Sequence, residues 1–192
     1  MFAIPAFGHG YTVLIWGDSL SSGYGIPDNR GWADLFAVRV KDREIRVVNG
    51  SIPGEITQGG KERIGAMLSQ HSPELVVLAL GSNDGLQGLD TSRMHANLES
   101  MINASRDAGA RVLLLGMRIP PNYGTVYADA FYRVFPDLAR NHDIGFVPFF
   151  LEPVALDFDL MQDDGLHPTA EAQILLLEHI WPALQSFLPA GP

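Results

Sequence analysis

The sequence predicts an α/β protein in which one parallel sheet of five strands lies between two layers of helices. Two observations support this fold class. Short apolar runs alternate with longer amphipathic segments, and Gly- or Asn-rich turns separate them. The runs are rich in Val, Ile and Leu, which is typical of strands buried on both faces. This alternation indicates right-handed crossovers and a single three-layer α/β/α domain.

The expected elements follow these runs in chain order. Strands are predicted at 12–16, 45–48, 75–80, 111–116 and 144–147. Helices are predicted at 32–40, 60–69, 93–108, 127–141 and 169–187. Pro182 is expected to bend or interrupt the last helix, because proline lacks the N–H that continues the helical hydrogen bonds.

The domain is expected to cover residues 11–192, which leaves 1–10 as an N-terminal extension or a remnant of processing. Residues 1–10 lack the basic start and the uninterrupted apolar centre of a signal peptide. The apolar runs are far shorter than the roughly 20 residues that span a bilayer, so no integral membrane segment is expected.

Composition excludes several classes of function. The formal net charge is −9 and the chain has two lysines, which argues against a nucleic-acid partner because phosphate backbones are bound by clustered Lys and Arg. The chain has no cysteine, which excludes disulfides, thiolate nucleophiles and cysteine metal sites. No His-Glu-x-x-His pattern or clustered ligand set indicates a metal.

Residues suited to catalysis follow four of the predicted strands. The carboxyl ends of parallel strands meet at one edge of the sheet, and ligands bind at that edge. The four segments are Gly17-Asp18-Ser19-Leu20-Ser21, Asn49-Gly50-Ser51-Ile52-Pro53-Gly54, Gly81-Ser82-Asn83-Asp84-Gly85 and Asp163-Asp164-Gly165-Leu166-His167-Pro168.

These segments contain the groups that acyl transfer requires. Ser19 is the expected nucleophile, with His167 as its base and Asp164, three residues earlier, as the carboxylate that orients the imidazole. The backbone N–H groups of Ser19 and Gly54 and the amide of Asn83 are the candidate oxyanion donors.

Structural interpretations stand beside each of these assignments. A serine in a Gly-rich turn is most often structural, and Asp164 also competes with Thr169 as a capping residue for the last helix. An Asp-x-x-His pattern alone occurs in metal ligation or loop packing as often as in catalysis. Asp163 is the rival carboxylate for orienting His167. The catalytic interpretation depends on the presence of all four segments at the ends of strands in one sheet.

The same segments resemble the sequence blocks of the GDSL, or SGNH, hydrolases. Residues 17–20 resemble the first block, Gly54 the second-block glycine, residues 81–84 the third block and residues 164–168 the fifth. The blocks occur in the family's order across most of the chain. Within the family, the chain is most similar to the bacterial thioesterase, lysophospholipase and arylesterase branch, and residues 120–124 strengthen that similarity.

The resemblance implies a flavodoxin-like strand order, no cofactor, and hydrolysis of short- to medium-chain acyl esters, thioesters or lysophospholipids. It implies the same roles for Ser19, His167 and Asp164, and the same three oxyanion donors. Two positions depart from the pattern of the branch. Ser82 replaces a second glycine, and Glu55-Ile56 replaces Asp-Thr after Gly54, so helix capping is expected to differ there.

Apolar residues in the same loops are candidates for lining an acyl-binding groove, although local packing is an equally good explanation for any one of them. The candidates are Leu86, Leu89, Ile119, Tyr123, Met161 and Leu166.

Other protein classes share this architecture. A phospho-accepting receiver needs a lysine after the fifth strand, and both lysines here precede the third. A flavin carrier or other phosphate-binding module is not favoured, because no Gly-rich phosphate loop is present. The remaining alternative is an inactive SGNH-fold module that binds an acyl or acetylated-glycan ligand without turnover. The expected protein is a monomer or small homo-oligomer, and the resemblance implies a periplasmic or secreted location, with the cytoplasm as the alternative.

Overall fold

A single parallel sheet forms the middle of the part of the chain that the computed structural model describes, residues 10–190. Its strands are β1 (Tyr11–Gly17), β2 (Ile45–Asn49), β3 (Leu75–Ala79), β4 (Arg111–Leu115) and β5 (Gly145–Val147). The order in the sheet is β2-β1-β3-β4-β5, and every neighbouring pair is parallel. This is the predicted flavodoxin-like order, and the α/β fold class is confirmed.

Two layers of helices cover the sheet. The helices within the described residues are α1 (Ser19–Ser22), α2 (Trp32–Val40), α3 (Thr57–His71), α4 (Ser82–Leu86), α5 (Thr91–Asp107), α6 (Thr125–His142) and α7 (Ala172–Gln185). Short 3-10 turns lie at Lys41–Arg43, Pro121–Tyr123 and Phe158–Leu160. The helix α2 packs against α7, whereas α5 packs against both α3 and α6, as expected when crossovers place helices on both faces.

The core lies on both faces of the central strands. Every residue of β3 is buried, as are residues 12–17 of β1, so these strands carry continuous apolar runs rather than an alternating pattern. Large aromatic side chains fill the spaces between sheet and helices: Trp16, Trp32, Phe36, Phe131, Phe135 and Phe150. None of the helices within 10–190 combines the length and apolar composition needed to cross a membrane.

Helix boundaries differ from the sequence prediction where tertiary hydrogen bonds decide them. The helix α3 begins at Thr57 rather than at 60, because the Asp84 carboxylate accepts hydrogen bonds from both the N–H and the hydroxyl of Thr57. The helix α7 begins at Ala172 rather than at 169. The Thr169 N–H donates to the carbonyl of Leu160, which keeps the chain outside the helix up to that point.

Pro182 does not end α7. The helix continues through it to Gln185, since a proline in the last turn removes only one backbone donor. The expected interruption is therefore not observed. The predicted N-terminal extension, 1–10, lies almost wholly outside the described residues.

Candidate active site

Ser19 lies at the carboxyl end of β1, on the first residue of α1. The Asp18 side chain caps this short helix by accepting the Leu20 N–H at 3.0 Å. The Oγ of Ser19 lies 2.8 Å from Nε2 of His167, which is hydrogen-bonding distance across 148 positions of sequence. A hydroxyl in this position can transfer its proton directly to the imidazole when the ring is neutral.

Asp164 contacts the other nitrogen of the same ring. Its Oδ2 lies 2.6 Å from Nδ1 of His167, while its Oδ1 accepts the backbone N–H groups of Leu166 and His167 at 2.9 and 3.0 Å. Gly165, with φ of +66°, permits the tight turn between them. Asp163 is exposed and makes no hydrogen bond or ion pair with the described residues. The geometry therefore brings Asp164, and not Asp163, to His167.

The electrostatics of Asp164 suit a carboxylate that stays ionised. Partial burial raises its pKa, but the hydrogen bonds from the His167 backbone N–H, the imidazole and the Leu166 N–H outweigh that effect. The net result lowers the pKa to about 2. An ionised carboxylate at Nδ1 fixes the tautomer in which Nε2 is free to accept a proton from Ser19.

Two residues that the sequence analysis did not single out hold His167 in place. The Tyr24 ring packs against the imidazole, with the ring centroids 4.8 Å apart. The Gln162 N–H donates to the His167 carbonyl at 2.7 Å, and its side-chain amide donates to the carbonyls of Tyr24 and Pro168. Tyr24 follows β1, so the strand-end rule that identified Ser19 could have identified it as well.

Asn83 lies on α4, at the end of β3. Its Nδ2 donates to the Glu55 carbonyl at 3.0 Å and makes a longer contact, 3.4 Å, with Oδ2 of Asp18. Ser19 and Asn83 line the same cavity, whereas Gly54 lies outside its lining, on the exposed turn that directly precedes Glu55. The backbone of Gly54 has a φ of +77°, which glycine adopts without strain.

Two buried carboxylates support these loops. The Asp84 carboxylate accepts the Thr57 N–H at 2.8 Å and the Thr57 hydroxyl at 2.6 Å, and burial raises its pKa. Ile56, at the N-cap position of α3, supplies no side-chain cap, so Asp84 caps that helix from a neighbouring loop. Asp18 is fully buried, and burial raises its pKa to about 7 despite the hydrogen bond from the Leu20 N–H.

A cavity of about 540 Å³ opens beside Ser19 and extends along the sheet edge toward β5. Its lining is mostly apolar. Among the predicted groove residues it includes Leu86, Ile119, Met161 and Leu166. It also includes residues that the sequence analysis did not single out: Met117, Arg118, Phe149, Leu151, Ala155, Leu156 and Phe158.

Two of the predicted groove residues lie elsewhere. The Tyr123 hydroxyl donates to the Leu86 carbonyl at 2.8 Å, which fixes the loop behind the cavity. Leu89 lines a separate cavity of about 580 Å³, together with Lys61 and Arg93. Within residues 10–190, no cluster of three His, Asp or Glu side chains is arranged to hold a metal ion.

The raised pKa of Asp18 predicts a specific dependence of stability on pH. Between about pH 4 and 7 the unfolded chain loses the Asp18 proton while the folded chain keeps it, so rising pH favours unfolding across this window. Asp18→Asn removes that effect. The free energy of unfolding of the variant, relative to the wild type, should therefore increase by roughly 2–4 kcal/mol from pH 4 to 7.

Urea denaturation at several pH values measures this difference. The exposed Asp28 provides the control, since Asp28→Asn should preserve the wild-type pH dependence. Parallel pH profiles for the wild type and Asp18→Asn would contradict the assignment.

Comparison of the chain with known proteins identifies its family. Residues 15–173 match the model of the GDSL-like lipase/acylhydrolase family. The chain is 45% identical to esterase TesA of Pseudomonas aeruginosa, with 92% of this chain and 89% of that protein covered. It is 42% identical to an arylesterase of Vibrio mimicus, with 88% and 85% covered. It is 40% identical to thioesterase 1/protease 1/lysophospholipase L1 of Escherichia coli, with 91% and 82% covered.

Solved structures of similar proteins have the same fold as this chain. A crystal structure of TesA superposes with a TM-score of 0.89 at 45% identity, covering 92% of this chain and 99% of that one. The psychrotrophic esterase EstA from Pseudoalteromonas, inhibited by monoethylphosphonate, superposes with a TM-score of 0.87 at 35% identity, covering 92% and 97%. The family model spans most of the chain and the relatives match nearly all of it, so this protein belongs to the GDSL-like lipase/acylhydrolase family.

Proposed function

We propose that this protein is a serine esterase and thioesterase that hydrolyses short- to medium-chain acyl esters through an acyl-enzyme on Ser19. It is a carboxylic ester hydrolase, as expected for relatives of an esterase, an arylesterase and a thioesterase. The observation that carries the detailed proposal is the continuous hydrogen-bonded series from Ser19 Oγ through His167 to Asp164, which opens onto an apolar cavity.

The first half of the cycle forms the acyl-enzyme. Ser19 Oγ attacks the acyl carbonyl carbon while its proton moves to Nε2 of His167. Asp164 stabilises the resulting imidazolium, because its lowered pKa keeps it ionised. The tetrahedral intermediate then collapses, and the leaving alcohol or thiol takes the proton from Nε2 as its bond to the acyl carbon breaks.

The second half releases the acid. A water molecule donates a proton to Nε2 of His167 and attacks the acyl carbon of the ester on Ser19. Collapse of this second intermediate breaks the bond to Oγ, and Oγ recovers the proton from the imidazolium. The protein returns to its starting state without a further reactant.

The oxyanion donors in this proposal are the N–H groups of Ser19 and Gly54 and the amide of Asn83. Support differs among the three. Ser19 and Asn83 border the cavity directly, and Asn83 is anchored by its bond to the Glu55 carbonyl. The contact of Nδ2 with Oδ2 of Asp18 is longer, 3.4 Å, and in this proposal it is exchanged for a hydrogen bond to the developing oxyanion.

The apolar cavity beside Ser19 is the proposed site for the acyl chain, since its walls offer apolar contacts and few polar ones. We propose small acyl esters, acyl thioesters or lysophospholipids as substrates. Residues 11–192 are proposed to act as one domain, as a monomer or small homo-oligomer. A periplasmic or secreted location is proposed on the family resemblance alone. Light scattering tests the oligomeric state, and cell fractionation tests the location.

The function is tested by comparing the wild type with Ser19→Ala on p-nitrophenyl esters of increasing acyl length. The wild type should hydrolyse short and medium esters, and Ser19→Ala should lower kcat by ~10⁴-fold or more, because the nucleophile is lost. Circular dichroism checks that the variant is folded. Equal activity of both proteins would exclude Ser19 as nucleophile, and equal inactivity would favour a binding module without turnover.

The role of Asp164 is tested with a matched pair of adjacent variants. Asp164→Asn should lower kcat by up to ~10⁴-fold, since the amide no longer stabilises the imidazolium or fixes the tautomer. Asp163→Asn removes the same charge one residue away and should leave kcat within about threefold of the wild type, because surface substitutions away from such contacts have small effects. A larger loss in Asp163→Asn than in Asp164→Asn would reverse the assignment.

A further inference from the structure

Arg118 lies in the loop that follows β4, three residues after Leu115, on the wall of the cavity that contains Ser19. In the sheet order, β3 separates β1 from β4. Neighbouring strands lie about 4.8 Å apart, so the end of β4 is roughly 10 Å from the end of β1 along the sheet edge. A substrate bound at Ser19 and extended through the cavity therefore reaches Arg118.

Aromatic rings hold the guanidinium of Arg118. Its Cζ lies 3.9 Å from the ring centroid of Tyr132 and 5.9 Å from that of Phe149. Such cation–π contacts orient the flat guanidinium, while the N–H donors at its edge stay available for hydrogen bonds. The group is thus positioned in advance of any ligand.

No anion within the described residues neutralises this cation. Arg118 is exposed at the mouth of the cavity, and it makes no salt bridge within 4.0 Å and no hydrogen bond to residues 10–190. Among the described arginines, Arg30, Arg39, Arg63 and Arg140 each contact a carboxylate. Arg93 and Arg133 are like Arg118 in having no such contact within the described residues, but neither lines the cavity. Arg118 therefore differs from the other arginines by its position on the cavity wall, where its charge faces the proposed substrate site.

Arg118 is also chemically distinct within the cavity. Apart from His167, which acts in the proposed reaction, it is the one ionisable side chain among the lining residues. Its chain neighbours Met117 and Ile119, which also line the cavity, are apolar. A guanidinium in such surroundings binds carboxylate or phosphate oxygens through paired N–H donors.

We propose that Arg118 is a specificity-determining residue that binds a second anionic group of the substrate, a carboxylate or a phosphate, away from the bond that is cleaved. This proposal rests on the proposed function. The anionic group belongs either to the leaving group, as in a phosphate-bearing thiol, or to the far end of the acyl chain, as in a dicarboxylic monoester. Arg118 favours such substrates over neutral ones of the same length.

Two pairs of substrates separate these sources. The first pair compares octanoyl-coenzyme A, which carries phosphates on its leaving group, with the neutral octanoyl thioester of N-acetylcysteamine. The second pair compares p-nitrophenyl monoesters of a dicarboxylic acid with p-nitrophenyl esters of the monocarboxylic acid of equal length. The proteins are the wild type, Arg118→Gln, Arg118→Lys and the control Arg133→Gln, which removes an exposed charge outside the cavity lining.

Arg118→Gln should raise KM about 10-fold for the anionic member of at least one pair, because a charge-assisted bidentate contact is lost. For Arg118→Gln, kcat on every substrate and KM for the neutral substrates should stay within about twofold of the wild type. For Arg133→Gln, kcat and KM should stay within about twofold of the wild type on all substrates. Arg118→Lys should recover part of the loss, since it keeps the charge but not the planar fork. High salt should reduce the wild-type advantage of the anionic substrate.

Each outcome decides the proposal. A KM effect confined to the thioester pair supports an anion on the leaving group, and one confined to the dicarboxylic pair supports an anion on the acyl chain. Equal effects on neutral and anionic substrates, or no effect in either pair, overturn it. A wild type inactive on all four substrates would instead reject the hydrolase proposal, so the two failures are distinguishable.

Discussion

The buried carboxylates of Asp18 and Asp84 hold the loops on which the rest of the site depends. Asp84 caps α3 by accepting both donors of Thr57, and Asp18 caps α1 by accepting the Leu20 N–H. Burying such groups is unfavourable unless hydrogen bonds compensate, so each carboxylate favours one arrangement of the loops around it. Ser19 directly follows Asp18 and Asn83 directly precedes Asp84. The two capping interactions therefore position the proposed nucleophile and the proposed oxyanion donor.

The environments of Asp18 and Asp164 differ, which fits a structural role for Asp18 and the proposed catalytic role for Asp164. Asp18 is fully buried, and burial raises its pKa to about 7. Asp164 lies near the surface and receives three hydrogen bonds, which lower its pKa to about 2. A carboxylate that must stabilise an imidazolium has to remain ionised throughout the cycle, and only the second environment ensures that. The same residue type thus supports loops in one place and chemistry in another.

The sequence predicts the fold and the central groups of the site because both depend on short-range patterns. Buried strands appear as apolar runs, and Ser19 and Asn83 were predicted because they closely follow two of these runs. His167 lies 20 residues after β5, and its prediction depended on the spacing from Asp164 and on the resemblance of residues 164–168 to the fifth block. The cavity wall was harder to predict. Phe149, Leu156 and Phe158 lie in a long segment after β5 with little regular structure, where no periodicity indicates which side chains face the site. Tyr24 follows β1, so its position was predictable, but its packing against His167 depends on a contact between distant segments. The contact of Gln162 with the Tyr24 carbonyl is likewise distant in sequence.

The central claim is that Ser19 is the nucleophile, and covalent labelling tests it most directly. A p-nitrophenyl alkylphosphonate reacts with an activated serine by losing p-nitrophenolate, which leaves a phosphonyl group on Oγ. Intact-mass and peptide mass spectrometry should then find one phosphonyl group per chain, on the peptide that contains Ser19, and none on Ser19→Ala. A label on Ser21 or Ser22, or undiminished labelling of Ser19→Ala, would contradict the account.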